Sequence, residues 1–192
     1  MRNAEATRER ILEAAMAEFS AHGIAGARVD RIAKAAGCNK NLIYIYFERK
    51  EALFTTILRK HLTRLYDELS FTPDDLPGYA GRVFDFAMAH PDLMRLMAWF
   101  ALEQKADNPA ERGAAFKAKV AALAEAQSAG LAGAAFSPEF ILTTIMALAT
   151  AWSAASAFGP SFDPDAAAHP AVLRKSIADA VRLIATAKAG NG

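Results

Sequence analysis

Between Ile32 and Phe47 the chain reads Ile-Ala-Lys-Ala-Ala-Gly-Cys-Asn-Lys-Asn-Leu-Ile-Tyr-Ile-Tyr-Phe, a run in which polar side chains alternate with an apolar spine. Gly37 closes one short helical stretch, and Asn39 stands where a side chain caps the next. On a helix from Lys40 to Phe47, Ile43 and Phe47 fall four residues apart on one inward face. Lys40, Asn41 and Tyr44, with Leu42 beside them, then face outward. An ammonium, a carboxamide and a phenol on one short helix can donate hydrogen bonds to phosphate oxygens or base edges. Small Ala33 and Ala36 allow the preceding helix to approach closely. Two short helices joined by a glycine-closed turn have the helix-turn-helix layout, whose second helix fits a DNA major groove.

Other chemistry is scarce. The histidines His22, His61, His90 and His169 form no His-Glu-x-x-His and no Glu-x-x-His pair, and the sequence has no glycine-rich phosphate loop and no Gly-x-Ser-x-Gly. No enzymatic activity, metal or cofactor is therefore expected. Cys38 is the single cysteine, which excludes an internal disulfide framework and suits a reducing cytoplasm. Its thiol reads as a small hydrophobe packed in the turn, with redox sensing as the alternative.

The elements that position these residues are helical throughout. The 192 residues are 53% hydrophobic, enough for a sizeable core. Ile11, Leu12, Ala15, Met16 and Phe19 form an apolar stripe, with Thr7 as a candidate cap and Gly23 as the stop. A second helix spans 29–36, the third 40–47, and a long fourth opens at Lys50 and runs through Leu53, Phe54, Ile57, Leu58, Leu62 and Leu65. Pro73, Pro77 and Gly78 mark a loop. Helices over 79–89, 92–104, 110–129, 138–157 and 170–188 follow, punctuated by Pro91, Asn108-Pro109, Ser137-Pro138, Gly159-Pro160 and His169-Pro170. The expected fold is all-α with about nine helices, divided into a helix-turn-helix domain over 1–55 and a second helical domain over 56–192.

Charge divides the same way. Residues 1–65 carry a net +5 and residues 66–192 a net −4, so a polyanion would meet the front of the chain. Phe140 to Phe158 is uncharged over 19 residues, near the length of a membrane span. Its threonines, serines and alanines, with no basic anchors nearby, favour a helix buried in protein, and no membrane contact is expected.

The N-terminal segment resembles the tetracycline-repressor (TetR) family. The match runs from Thr7-Arg-Glu-Arg-Ile-Leu-Glu-Ala-Ala through Phe19 and Gly23, then Ile32-Ala33, Ala36-Gly37, Tyr44, Phe47 and Lys50-Glu-Ala-Leu-Phe54. The resemblance implies three DNA-binding helices, a connecting fourth, and a helical domain for ligand binding and dimerisation. By position it places Arg28, Tyr44, Tyr46 and Lys50 on phosphate and Lys40 on base edges, with Asn39 as the recognition-helix cap. Arg28, Asn41 and Leu42 depart from the family's usual residues at their positions, so the operator sequence does not carry over. Leu42 either meets a thymine methyl or packs against Ile45.

The second domain is rich in bulky, adaptable side chains, and Met88, Met97, Phe100, Phe116 and Trp152 are its candidate ligand-lining residues. The 138–157 helix is apolar around most of its circumference, with Ala147, Thr150, Ala151, Ala154 and Ala155 as small contact residues. Leu173, Ile177, Val181 and Ile184 add a stripe from the last helix, so that two helices per protomer could build a four-helix dimer interface. Together these readings describe a cytoplasmic, homodimeric transcriptional regulator on a pseudo-palindromic double-stranded operator. In the expected mechanism a small, largely apolar effector releases it as a repressor. The alternative is a helical small-molecule-binding protein that no longer binds DNA.

Overall fold

The computed structural model describes residues 2–107 and 109–187. They form ten α-helices and one 3-10 turn, with no strand among the described residues. The expected boundary at Asn108 and the expected helix end at Lys188 lie outside them. The chain divides into two compact units, one from Met1–Arg64 with Asp92–Pro109, the other from Leu65–Pro91 with Ala110–Gly192.

The first unit holds α1 (Arg2–Gly26), α2 (Val29–Ala36), α3 (Lys40–Phe47), most of α4 (Lys50–Glu68) and nearly all of α6 (Pro91–Glu103). Its core is the expected stripe of α1, with Ile11, Leu12, Ala15 and Phe19 buried against Ile32, Ile43, Leu53, Phe54 and Ile57. Phe19 meets Phe54 edge-to-face at 5.2 Å, and Phe100 of α6 stacks on Phe54 at 6.4 Å. α1 begins before Thr7, which lies inside the helix and accepts from Arg10 rather than capping. Ala4, Glu5 and Ala6 favour helix, and Glu5 sits in the first turn, where its charge suits the dipole.

Gly23 interrupts α1 as expected, with φ 66° and ψ −176°, and a short helical stretch runs on to Gly26. α6 covers this break. Trp99 Nε1 donates to Ser20 O at 3.2 Å, and Ala25 N–H donates to Glu103 Oε2 at 3.0 Å. Two backbone groups freed by the kink thus regain partners from a helix some eighty residues on.

The second unit holds α5 (Leu76–Ala89), α7 (Ala110–Ser128), α8 (Pro138–Thr150), α9 (Gly159–Phe162), a 3-10 turn over Ala166–Ala168, and α10 (Pro170–Ala185). α5 packs on α10 and α8, and α7 on α8. Arg174 bridges α10 to Asp85 of α5 at 2.7 Å, and Lys119 of α7 donates to the buried Tyr79 hydroxyl at 2.7 Å. α5 starts three residues earlier than expected. Pro77 sits in its first turn, where a missing N–H costs nothing, and Asp75 caps it by accepting from Gly78 N–H at 2.9 Å.

α8 stops at Thr150, not 157. Beyond it the bonds tighten to i→i+3, Ser153 N–H to Thr150 O at 2.9 Å and Ser156 N–H to Ser153 O at 3.0 Å. Ser153 is buried there and Ala154 and Ala155 lie exposed in the turn, so they are not part of a helical interface stripe. The last helix also differs from expectation. Leu173, Ile177 and Val181 are buried within the unit, because α5 claims that stripe.

Candidate nucleic-acid interface

α2 ends in a Schellman turn: Gly37, at φ 62°, donates to Lys34 O at 3.2 Å, and Cys38 N–H to Ala33 O at 3.0 Å. The chain emerges extended at Asn39, whose Oδ1 accepts from Asn41 N–H at 2.9 Å and caps α3 as expected. Ile43 and Phe47 are buried, while Asn39, Lys40, Asn41, Tyr44 and Ile45 are exposed and Leu42 and Tyr46 half-buried. A short helix held from beneath by two apolar residues thereby offers a polar outer face.

The start of α2 is secured differently. Arg28 is its N-terminal flanking residue but makes no side-chain cap bond. Glu18 of α1 does that work, accepting the Arg28 N–H at 2.8 Å and the Arg31 guanidinium at 2.6 Å. Burial pushes the Glu18 carboxyl up, but the hydrogen bonds from Arg31 and Arg28 N–H, with the Arg31 charge, outweigh it and hold it below its ordinary value. Sequence spacing gave no sign of this, since Glu18 reads as one solvated charge among several on α1.

Lys40 is engaged by Asp30 of α2, with Nζ 2.9 and 3.1 Å from the two carboxylate oxygens. That hydrogen bond and charge raise the Lys40 pKa above its ordinary value. Lys50 donates to Ala27 O at 3.1 Å, and Tyr46 donates to Ala4 O at 3.3 Å. Tyr46 therefore has a backbone partner in α1 in this structure, whereas the Tyr44 side chain is 41% exposed. Ile45, 75% exposed on the recognition helix, was not singled out by sequence; it lies one turn beyond Asn41, the position that could have flagged it.

Glu48 closes α3 at φ 60° and ψ −51°, and Arg49 N–H donates to Phe47 O at 2.6 Å. This is a γ-turn on a non-glycine residue, a strained join that leaves only Glu48 and Arg49 between α3 and α4. Arg28, Asp30, Lys40, Tyr44, Glu48, Arg49 and Lys50 line one open cleft of about 410 Å³. Of the eight expected DNA contacts, Lys40, Asn41, Leu42, Tyr44 and Tyr46 lie on α3, Arg28 and Lys50 line the cleft, and Asn39 caps α3; Tyr46 turns its hydroxyl back to α1.

The candidate ligand residues are dispersed. Met97 and Phe100 belong to the first unit, where Phe100 stacks on Phe54. Met88 on α5, Phe116 on α7 and Trp152 beyond α8 belong to the second. Phe116 is 42% exposed, and Trp152 Nε1 is buried without a hydrogen-bond partner. Among the described residues no group of three or more His, Cys, Asp or Glu side chains is placed to hold a metal ion, and no helix is long and apolar enough to cross a membrane.

A glycine-closed turn, a capped second helix with an inward Ile-Phe pair and an outer cleft carrying Arg28, Lys40, Arg49 and Lys50 beside Asp30, Glu48 and Glu51 define a helix-turn-helix DNA-binding protein. A family description of the tetracyclin-repressor-like C-terminal domain matches residues 75–182, and one of the tetR family of bacterial regulatory proteins matches residues 11–57. The HTH-type transcriptional repressor SCO4008 of Streptomyces coelicolor is 42% identical over 151 residues, 77% of this chain and 79% of that protein. The crystal structure of the transcriptional regulator SCO4942, also from Streptomyces coelicolor, superposes with a TM-score of 0.82 at 39% identity, covering 93% of this chain and 98% of that one. FadR from Bacillus subtilis, solved in complex with stearoyl-CoA, shares the fold at a TM-score of 0.63 and 18% identity over 88% of this chain and 97% of that one. The chain belongs to the TetR family of transcriptional regulators.

Proposed function

We propose that this regulator is a homodimeric, cytoplasmic repressor, not an enzyme, and that a small, largely apolar effector releases it from a pseudo-palindromic operator. The observation that carries the DNA half of this reading is α3, with Lys40, Asn41, Tyr44 and Ile45 exposed over buried Ile43 and Phe47. Residues 1–55 act as the DNA-binding domain and 56–192 as the effector-binding and dimerisation domain. Arg28, Tyr44 and Lys50 fix the register on phosphate, Tyr46 joins them if it leaves Ala4, and Lys40, Asn41 and Leu42 face the bases from the Asn39 cap.

Repression is supported by the name of SCO4008, and an apolar effector by the acyl ligand of FadR, a neighbour in fold. In this chain Met88, Phe116 and Trp152 are the second-unit candidates to meet the effector, and the unpartnered Trp152 Nε1 would donate to a polar atom of it. Release requires the effector to bind the DNA-incompetent state more tightly. Dimerisation is supported by exposed apolar side chains on α8 and α10, Phe140, Met146, Val172 and Leu183.

The test is selection by the pure protein from a randomised duplex library. Two inverted half-sites whose centres lie about one helical turn apart are expected. Enrichment of no sequence, or binding independent of salt, would overturn the reading.

A further inference from the structure

Exposed ion pairs contribute little to folding, so the pair of Asp30 and Lys40 invites a different account. Both side chains are well exposed, at 64% and 44%, and both line the cleft that also holds Arg28, Tyr44 and Lys50. The carboxylate takes the ammonium through both oxygens, at 2.9 and 3.1 Å. Asp30 lies in the first turn of α2 and Lys40 is the first residue of α3, so the two anchors are set by the Schellman turn between them. A carboxylate on a surface that meets phosphate opposes binding to any duplex. It also keeps the lysine charge from pairing freely with backbone phosphate.

We propose that Asp30 is a specificity-determining residue, and that Asp30 and Lys40 together read a G·C pair in each half-site. This rests on the DNA-binding reading above. The ammonium has three N–H donors and Asp30 occupies one side of it, so the rest is free for guanine O6 and N7. The carboxylate is an acceptor for the cytosine N4 amino group, the donor that a G·C pair presents in the major groove. A T·A pair still offers adenine N6 to the carboxylate and thymine O4 to the ammonium, but it sets a methyl where guanine has N7, so the ammonium loses its second acceptor and the carboxylate's repulsion is less fully offset. Discrimination thus arises as much from a penalty on wrong sequences as from a contact to the right one.

The experiment compares wild type, Asp30→Asn and Asp30→Glu in selection from a randomised duplex library and in anisotropy titrations of the unselected library across salt. Wild type and Asp30→Glu should enrich G·C at one symmetric position in each half-site. Asp30→Asn should lose that preference. With one lysine charge freed per protomer, it should bind the unselected library one to two orders of magnitude more tightly near 0.1 M salt, with a log–log salt slope steeper by about two per dimer. Identical selected sites and library affinities for Asp30→Asn and wild type would overturn the proposal. So would equal weakening on all duplexes with a lowered Tm, which would make Asp30 a helix-terminus charge and nothing more. If wild type itself enriches nothing, the DNA-binding reading falls, and this with it.

Discussion

The two units end at their surfaces in opposite ways. In the first, the exposed large apolar side chains described are Tyr44 and Ile45 on the recognition helix and Leu102 on α6, and the rest of its apolar stripe is closed over Phe19, Phe54 and Ile32. In the second, Phe140, Met146, Phe158, Phe162, Val172 and Leu183 remain uncovered. A unit that meets a polyanion needs a rigid polar face, and its interior can be self-sufficient. On the homodimer proposal, a unit whose partner is another copy would leave part of its apolar surface unspent.

The contrast breaks first at the apolar face. Met146→Glu with Leu183→Glu alters two exposed residues and should leave the protomer folded, as judged by its circular dichroism. Light scattering should then show a monomer. Because one half-site then binds without the second, affinity for the selected operator should fall at least about 100-fold. A dimer that survives both charges would place the interface elsewhere.

The first unit's self-sufficiency is sharpened by its two left-handed glycines. A Cβ on Gly37 would meet nothing within 4 Å, whereas on Gly23 it would lie 2.8 Å from the Trp99 ring and closer still to the Glu103 carboxylate. Gly37→Ala should therefore cost only the backbone term, about 1 kcal/mol. Gly23→Ala adds a collision to a backbone region used almost solely by glycine, and should cost about 3 kcal/mol or more in urea unfolding. Equal losses would mean that α6 does not hold the break in α1.

Those glycines also mark how far the sequence could be read. Gly37, Asn39 and the Ile43–Phe47 spacing are local signals, each acting within one turn of helix, and the helix-turn-helix was legible from them. Gly23 was legible as a stop, but not what covers it, because Trp99 and Glu103 act across some eighty residues. The end of α8 was missed for a related reason. Uncharged Ala151 to Ala157 continue a helical composition, and only the i→i+3 bonds formed as Ser153 is buried end it. The α10 stripe was read correctly as apolar and assigned to the wrong neighbour, since periodicity shows that a face is buried without showing against what. Lys40 was expected at the groove, but its partner Asp30 was hidden in the ten residues that the turn folds back.

The smallest expected effect concerns Glu18, whose side chain is 10% exposed beneath the start of α2. Its carboxyl is held below the ordinary value of 4.5. A depressed carboxyl stabilises the fold fully above that ordinary value, and the contribution is lost as pH falls through it and through the lowered folded value. Stability should therefore drop on acidification below about pH 4.5. Glu18→Gln keeps an acceptor for the Arg28 N–H but loses the charge facing Arg31, so it should lower stability at neutral pH and flatten this acid limb. Urea midpoints of the two proteins from pH 6 downward should converge. Curves that stay parallel would show that Glu18 supports α2 by shape alone, and that the first unit's closed surface owes nothing to this buried charge.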